Sequence, residues 1–171
     1  MASIESLANK GRNLAPITRG AAVTTKIGEM EFEWRGEAFK EQINEAVAVG
    51  ITDGAVHVAR AMKRNIGVQG PPTSLPGAFP HMDTTSLNRS ISVDVATAKS
   101  LVAAAGVARE ARNSETGVRV DDYALKLEFG GLGQQPRPWA VRTLREETGK
   151  LFGIIVESTA RTLGGGLKGV R

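Results

Sequence analysis

From Glu29 to Arg35 charged and apolar residues alternate without a fault, with Met30, Phe32 and Trp34 on one side and Glu29, Glu31, Glu33 and Arg35 on the other. Successive side chains of a strand point to opposite faces, so a period of two predicts a half-buried β-strand. The period then lengthens. Phe39, Ile43, Val47, Ile51, Ala55, Val58, Met62 and Ile66 recur every three or four residues, which predicts a long helix over 37–66 with that stripe inward. Acids gather toward its start (Glu37, Glu41, Glu45) and bases toward its end (Arg60, Lys63, Arg64), as the helix dipole favours. Gly50 and Gly54 inside it mark a bend or a close backbone approach, and His57 reads as a helix-surface or satisfied histidine.

Gly67 to Thr85 breaks the pattern. Pro71, Pro72, Pro76 and Pro80, with Gly70 and Gly77, forbid a regular helix or a central strand. A loop this long in a small domain needs a function or a partner, and its Leu75 and Phe79 need something apolar to lie against. Beyond it Ile91, Val93 and Val95 alternate over 90–96, and Leu101 to Ala108 is apolar and strand-compatible, though its alanines also allow a helix. Val118 to Val120 suggests a short strand edge, and the set suggests an antiparallel meander. Tyr123 to Phe129 fits either a strand, by alternation of Tyr123, Leu125, Leu127 and Phe129, or a helical turn. Pro136-Arg-Pro138 predicts the start of a last helix over 138–163, because proline suits a first turn. Its expected buried stripe is Val141, Leu144, Leu151, Phe152, Ile155 and Leu163, and Gly164-Gly-Gly166 should end it.

The fold class this implies is α+β: a small antiparallel sheet packed with a long N-terminal helix and a C-terminal helix. It forms a single domain over 27–163, with an extended arm over 1–26 (a short helix at Ile4–Lys10) and a flexible tail over 164–171. At 171 residues, 41% hydrophobic and 23% charged, the chain has the composition of one ordered globular domain. It has no cysteine, so neither disulfides nor thiolate metal sites are available. No apolar run reaches the length of a signal peptide or a membrane span, so a soluble, non-secreted chain is expected.

The net charge of +4 invites a nucleic-acid reading, but its distribution weakens it: residues 1–27 and 161–171 each carry +3, leaving −2 for the middle. The excess therefore reads as solvated or protein-binding arms. Candidate chemistry is thin. Two histidines, no cysteine and no nucleophile-elbow pattern argue against a hydrolase. Asp121-Asp122 are adjacent and diverge, and Gly130-Gly131-Leu-Gly133 lacks the spacing of a nucleotide-binding loop. No catalytic, cofactor-binding or metal-binding residue is assigned, no cofactor is expected, and the chain is not read as an enzyme.

Four segments remain: Pro76-Gly-Ala-Phe-Pro-His81, Leu87-Asn-Arg-Ser-Ile91, Tyr123-Ala to Glu128-Phe-Gly130, and Arg137-Pro-Trp139. In this order, over roughly 36–163, they resemble the minor tail-component family of long-tailed bacteriophages, the neck or tail-completion proteins that join a filled head to a tail. Here the leucine follows Thr85-Ser86, where the family often has Thr-Gly, and the last helix lacks a second proline. The resemblance favours a helical turn or irregular segment for 123–129. It implies a structural head–tail connector subunit, found in the virion and assembled in the host cytoplasm. Its partners would be copies of itself in a closed ring of six or twelve, a head-closure or adaptor ring, and tail-tube or tail-terminator proteins. DNA would pass through the lumen without sequence recognition, and no membrane would be involved. A tail-tube terminator or other minor tail subunit is one alternative, and a small basic DNA-binding protein is another. The candidate inter-subunit contacts are Leu75, Pro76, Phe79, Pro80, His81, Arg137 and Trp139, with the loop over 69–83 and the arm over 1–26 expected to touch other subunits.

Overall fold

A computed structural model describes residues 23–27, 30–34, 36–66, 74–80, 85–113, 116–131 and 133–167, of which 23–27, 30–34 and 165–167 as backbone only. The order along the chain is β1 (Val23–Ile27), β2 (Met30–Trp34), α1 (Gly36–Asn65), α2 (Thr85–Ser90), β3 (Ile91–Asp94), β4 (Ala104–Val107), α3 (Val120–Phe129) and α4 (Ala140–Leu167). The fold class is α+β, with a long helix toward each end. The sheet is not one meander but two two-stranded antiparallel sheets, β1–β2 and β3–β4. These elements belong to two compact units. One takes the described residues up to Asp53, Val95–Val102 and those from Gly153 on; the other takes those of Gly54–Asp94 and Ala103–Phe152.

In the first unit the alternating segment is strand β2, paired with β1 from Ile27↔Met30 to Val23↔Trp34. Strand β1 therefore occupies the end of the expected arm. The side-chain faces of β2, the helix at Ile4–Lys10 and the rest of the arm lie outside the described residues. Helix α1 buries small residues here, Ala46, Ala48, Gly50 and Thr52, while Phe39, the first member of the expected stripe, is exposed. Small residues let backbones approach. A Cβ added at Gly50 would sit 2.6 Å from the Ile155 carbonyl oxygen and closer still to Thr159 Oγ1, so this glycine marks a close approach. Ser158 Oγ donates to Asp53 Oδ2 at 2.5 Å, and the Ala96 amide donates to Thr52 Oγ1 at 3.1 Å.

In the second unit Val56, Val58, Ala59, Ala61, Met62 and Ile66 of α1 are buried with Leu87, Ile91, Val93, Val120, Ala124, Leu127 and Trp139. Several local expectations are corrected here. Thr85–Ser90, just before the expected strand over 90–96, is a helical turn and a half that buries Leu87. Strand β3 stops at Asp94, which leaves Val95 exposed, and β4 holds only Ala104–Val107, which leaves Leu101 and Val102 exposed. In place of a strand edge at 118–120 there is one bridge, Arg112↔Arg119, and then α3. The alternation over 123–129 is helical: Ala124 and Leu127 are buried, whereas Leu125 and Phe129, one turn apart, are exposed.

The largest correction concerns α4. It starts at Ala140, because Pro136 and Pro138 hold the preceding chain extended, and it runs through the glycines to Leu167. Three of the residues expected to be buried, Val141, Leu144 and Phe152, are exposed, and Phe152 is 76% exposed. The buried positions are Trp139, Thr143 and Ser158. Thr143 Oγ1 accepts from Asn65 Nδ2 at 2.9 Å, and His57 Nε2 lies 2.7 Å from Glu147 Oε2. The most deeply buried side chains of this helix, Thr143 and Ser158, are polar and hydrogen-bonded, while Leu151, Ile154 and Ile155 are half-buried, a solution that a count of apolar residues does not see.

The helix glycines separate by experiment. Gly50→Ala forces a methyl onto backbone and should destabilise by about 1–3 kcal/mol. Gly149→Ala enters open space mid-helix and should stabilise by about 1 kcal/mol. Urea denaturation of both variants reads the signs, and equal shifts would mean that α1 and α4 do not approach at Gly50.

Candidate interaction surface

Helix α4 begins at a residue that cannot cap it. The Trp139 carbonyl accepts the first helical bond, from the Thr143 amide at 3.3 Å, yet an indole offers no oxygen to the amides that follow. The buried carboxylate of Glu128, from the last turn of α3, takes that role. Its Oε2 accepts from the amides of Trp139 (2.8 Å) and Ala140 (2.9 Å), and its Oε1 accepts from Val141 (3.1 Å). A negative charge at a helix N-terminus also complements the dipole. The Arg137 amide donates to the Leu127 carbonyl at 2.7 Å, and Trp139 Nε1 donates to the Ala124 carbonyl at 3.3 Å. Gly130, with φ 78°, makes the turn that brings Glu128 back onto the helix start.

The described part of the proline-rich loop, 74–80, is fastened to the same place. Arg137 Nε donates to the Ser74 carbonyl at 2.9 Å, the Gly77 amide to the Pro136 carbonyl at 3.0 Å, and Arg142 to the Gly77 carbonyl at 2.9 Å. The Arg142 guanidinium also lies over the Phe79 ring, 4.3 Å from its centre, while its Nε donates to Glu146. Six of the seven candidate contact residues thus meet at one clasp, and His81 lies outside the described residues. Within the clasp their roles divide. Trp139, 3% exposed, and Pro80 are buried within the chain's own fold and hold the surface without forming it. Arg137 is spent on the loop backbone, Phe79 is half-buried under Arg142, and Leu75 (78% exposed) and Pro76 form the free tip.

Sequence reasoning missed the larger apolar surface. Val141, Leu144 and Phe152 project from one side of α4, and Leu125 with Phe129 (70% exposed) from one side of α3. Their helical spacing was visible, but their side of the helix was not. Glu128 and Arg142, which build the clasp, also gave no signal, because both depend on partners distant in sequence.

Two carboxylates are engaged structurally. Hydrogen bonds from His57 and then Lys150 hold the half-buried Glu147 carboxyl below the usual carboxylate range. The Arg119 guanidinium, donating to both oxygens of Asp121, holds that carboxyl far below it. Among the described residues no group of three or more His, Asp or Glu side chains could hold a metal ion, and no helix is long and apolar enough to cross a membrane. Compared with protein families, curated proteins and solved structures, the chain matches none of them.

Proposed function

We propose that the chain is a structural subunit of a bacteriophage head–tail connector, one that joins copies of itself into a closed ring on the DNA path between head and tail. The observation that carries this reading is the exposed apolar side of α4, Val141, Leu144 and Phe152, supplemented by Leu125 and Phe129 on α3. Scattered exposed apolar residues are ordinary, but rows at helical spacing on two helices, each with a phenylalanine at 70% exposure or more, fit an association surface. Head-to-tail contacts between identical subunits close into a ring when the rotation between them closes. Three of the four segments that carry the resemblance, those around Gly77, Glu128 and Trp139, are the ones the clasp fastens together, so the resemblance rests on residues that shape the fold. The clasp presents Leu75 and Pro76 on a loop tied down at Ser74 and Gly77, a docking element with little backbone freedom left to lose on binding.

Native mass spectrometry of the purified chain tests the reading. The expected result is a closed assembly whose mass is an integral multiple of 18.1 kDa. Leu144→Glu combined with Phe152→Glu should yield monomer with unchanged melting, since both side chains are exposed and lie outside the core. A parent that stays monomeric at every concentration, or a double variant that assembles like the parent, would sink the proposal.

A further inference from the structure

Most arginines and lysines that flank α4 are occupied: Arg142 with Glu146, Lys150 with Glu147, Arg161 with Glu157. The C-terminal end of α1 is different. Arg60 and Arg64 are exposed and Lys63 is half-buried, and among the described residues none of the three side chains has a salt bridge or hydrogen bond. No acid occurs in α1 after Asp53, seven residues before Arg60 and so about 10 Å along the axis, roughly one Debye length. Two further cations are brought to this end by the backbone. Asn88 Nδ2 donates to the Lys63 carbonyl at 2.8 Å, which joins α2 to the last turn of α1, and exposed Arg89 is the next residue along α2. The Ala108 amide donates to the Ser90 carbonyl at 3.0 Å, one step beyond the Ile91↔Val107 pair, which brings exposed Arg109 across from Arg89. Helix α2 contains no acid.

A helix dipole accounts for cations at a C-terminus, and so for Lys63 and Arg64. It does not account for Arg89 and Arg109, which come from other elements. Four of the five are arginines, whose planar fork pairs with phosphate oxygens in bidentate fashion. Arg60 and Arg64 stand about 6 Å apart along the axis, close enough for both to engage one run of backbone phosphates.

We propose that Arg60, Lys63, Arg64, Arg89 and Arg109 form a phosphate-contacting surface for duplex DNA, which reads backbone charge and not base sequence. The proposal deepens the connector reading, on which it rests for the presence of DNA, and adds a local basic cluster within a middle segment whose net charge is −2.

Fluorescence anisotropy of the full chain with two unrelated short duplexes, titrated over a range of salt, provides the test. Each phosphate neutralised contributes about −0.9 to the slope of log affinity against log salt, so Arg60→Gln/Arg64→Gln/Arg89→Gln should flatten the slope by about 2.7. Between about 50 and 200 mM salt this removes about 40-fold of the parent's loss of affinity. Lys10→Gln/Arg12→Gln/Arg19→Gln, with the same change in net charge, should flatten it much less, and both duplexes should behave alike. Arg89→Gln alone, expected to flatten it by about 0.9, keeps the test decisive if the triple variant does not fold. Equal slopes for parent and triple variant, the larger effect in the Lys10 set, or binding to phosphatidylserine vesicles without binding to duplex would overturn the proposal. Assembly mass is read separately: if the parent proves monomeric the connector reading fails, whereas a flat response of the triple variant in an intact assembly fails this proposal alone.

Discussion

Trp139→Ala is expected to lower stability by about 3–5 kcal/mol, the usual range for truncating a large buried aromatic. For a chain of this length that corresponds to a melting temperature lower by roughly 6–20 °C. The indole is 3% exposed, its Nε1 donates to the Ala124 carbonyl, and its own amide is held by Glu128. Removing it opens a cavity between α3 and the start of α4, leaves the Ala124 carbonyl without that donor, and loosens the loop that Arg137 and Arg142 tie down. Phe152→Ala on the same helix is the internal comparison. That ring is mostly in solvent, so its loss should change the melting temperature little. Thermal melts of the two variants side by side decide the matter, and equal shifts would mean that α4 presents the opposite side to the core.

The second large effect belongs to Glu128. One carboxylate accepts three backbone N–H bonds at the start of α4, and hydrogen bonds to a charged group are worth more than neutral ones. Glu128→Ala strips all three amides of their acceptor in a buried setting and should destabilise by about 3–4 kcal/mol. Glu128→Gln keeps one oxygen of the same reach but turns an amide donor toward the Val141 N–H, so it should lie between parent and alanine. The order parent, glutamine, alanine in denaturant midpoint is the expected result. If glutamine matches the parent, the charge contributes nothing, and if alanine does, the cap is not formed. Because Glu128 and Trp139 touch, Glu128→Ala/Trp139→Ala should fall short of the summed single effects.

What the chain determines by itself is what depends on neighbours in sequence. Strict alternation over Glu29–Arg35 marked a strand, and unbroken helical periodicity from Glu37 marked α1 to within a residue at each end. Proline placement marked the loop and the approach to the last helix, and Gly50 marked a bend or a close approach, of which the contact with Ile155 and Thr159 is the second. The α+β class followed from these.

What only the tertiary structure decided is which side of each helix faces inward. Periodicity fixes that an apolar stripe exists but not where it points, and Val141, Leu144 and Phe152 form one that points to solvent. The inward side of α4 instead carries Thr143, Glu147 and Ser158 among half-buried aliphatic residues, and their hydrogen-bond partners on α1 lie 78, 90 and 105 residues away. The same holds for the clasp and the basic surface. Glu128 caps a helix that begins twelve residues later, Arg142 reaches Gly77 across 65, and Arg89 and Arg109 join the end of α1 only through the Asn88 and Ala108 bonds. A net charge of −2 for the middle of the chain averages over these positions. Proximity created by folding, not composition, makes five cations a surface.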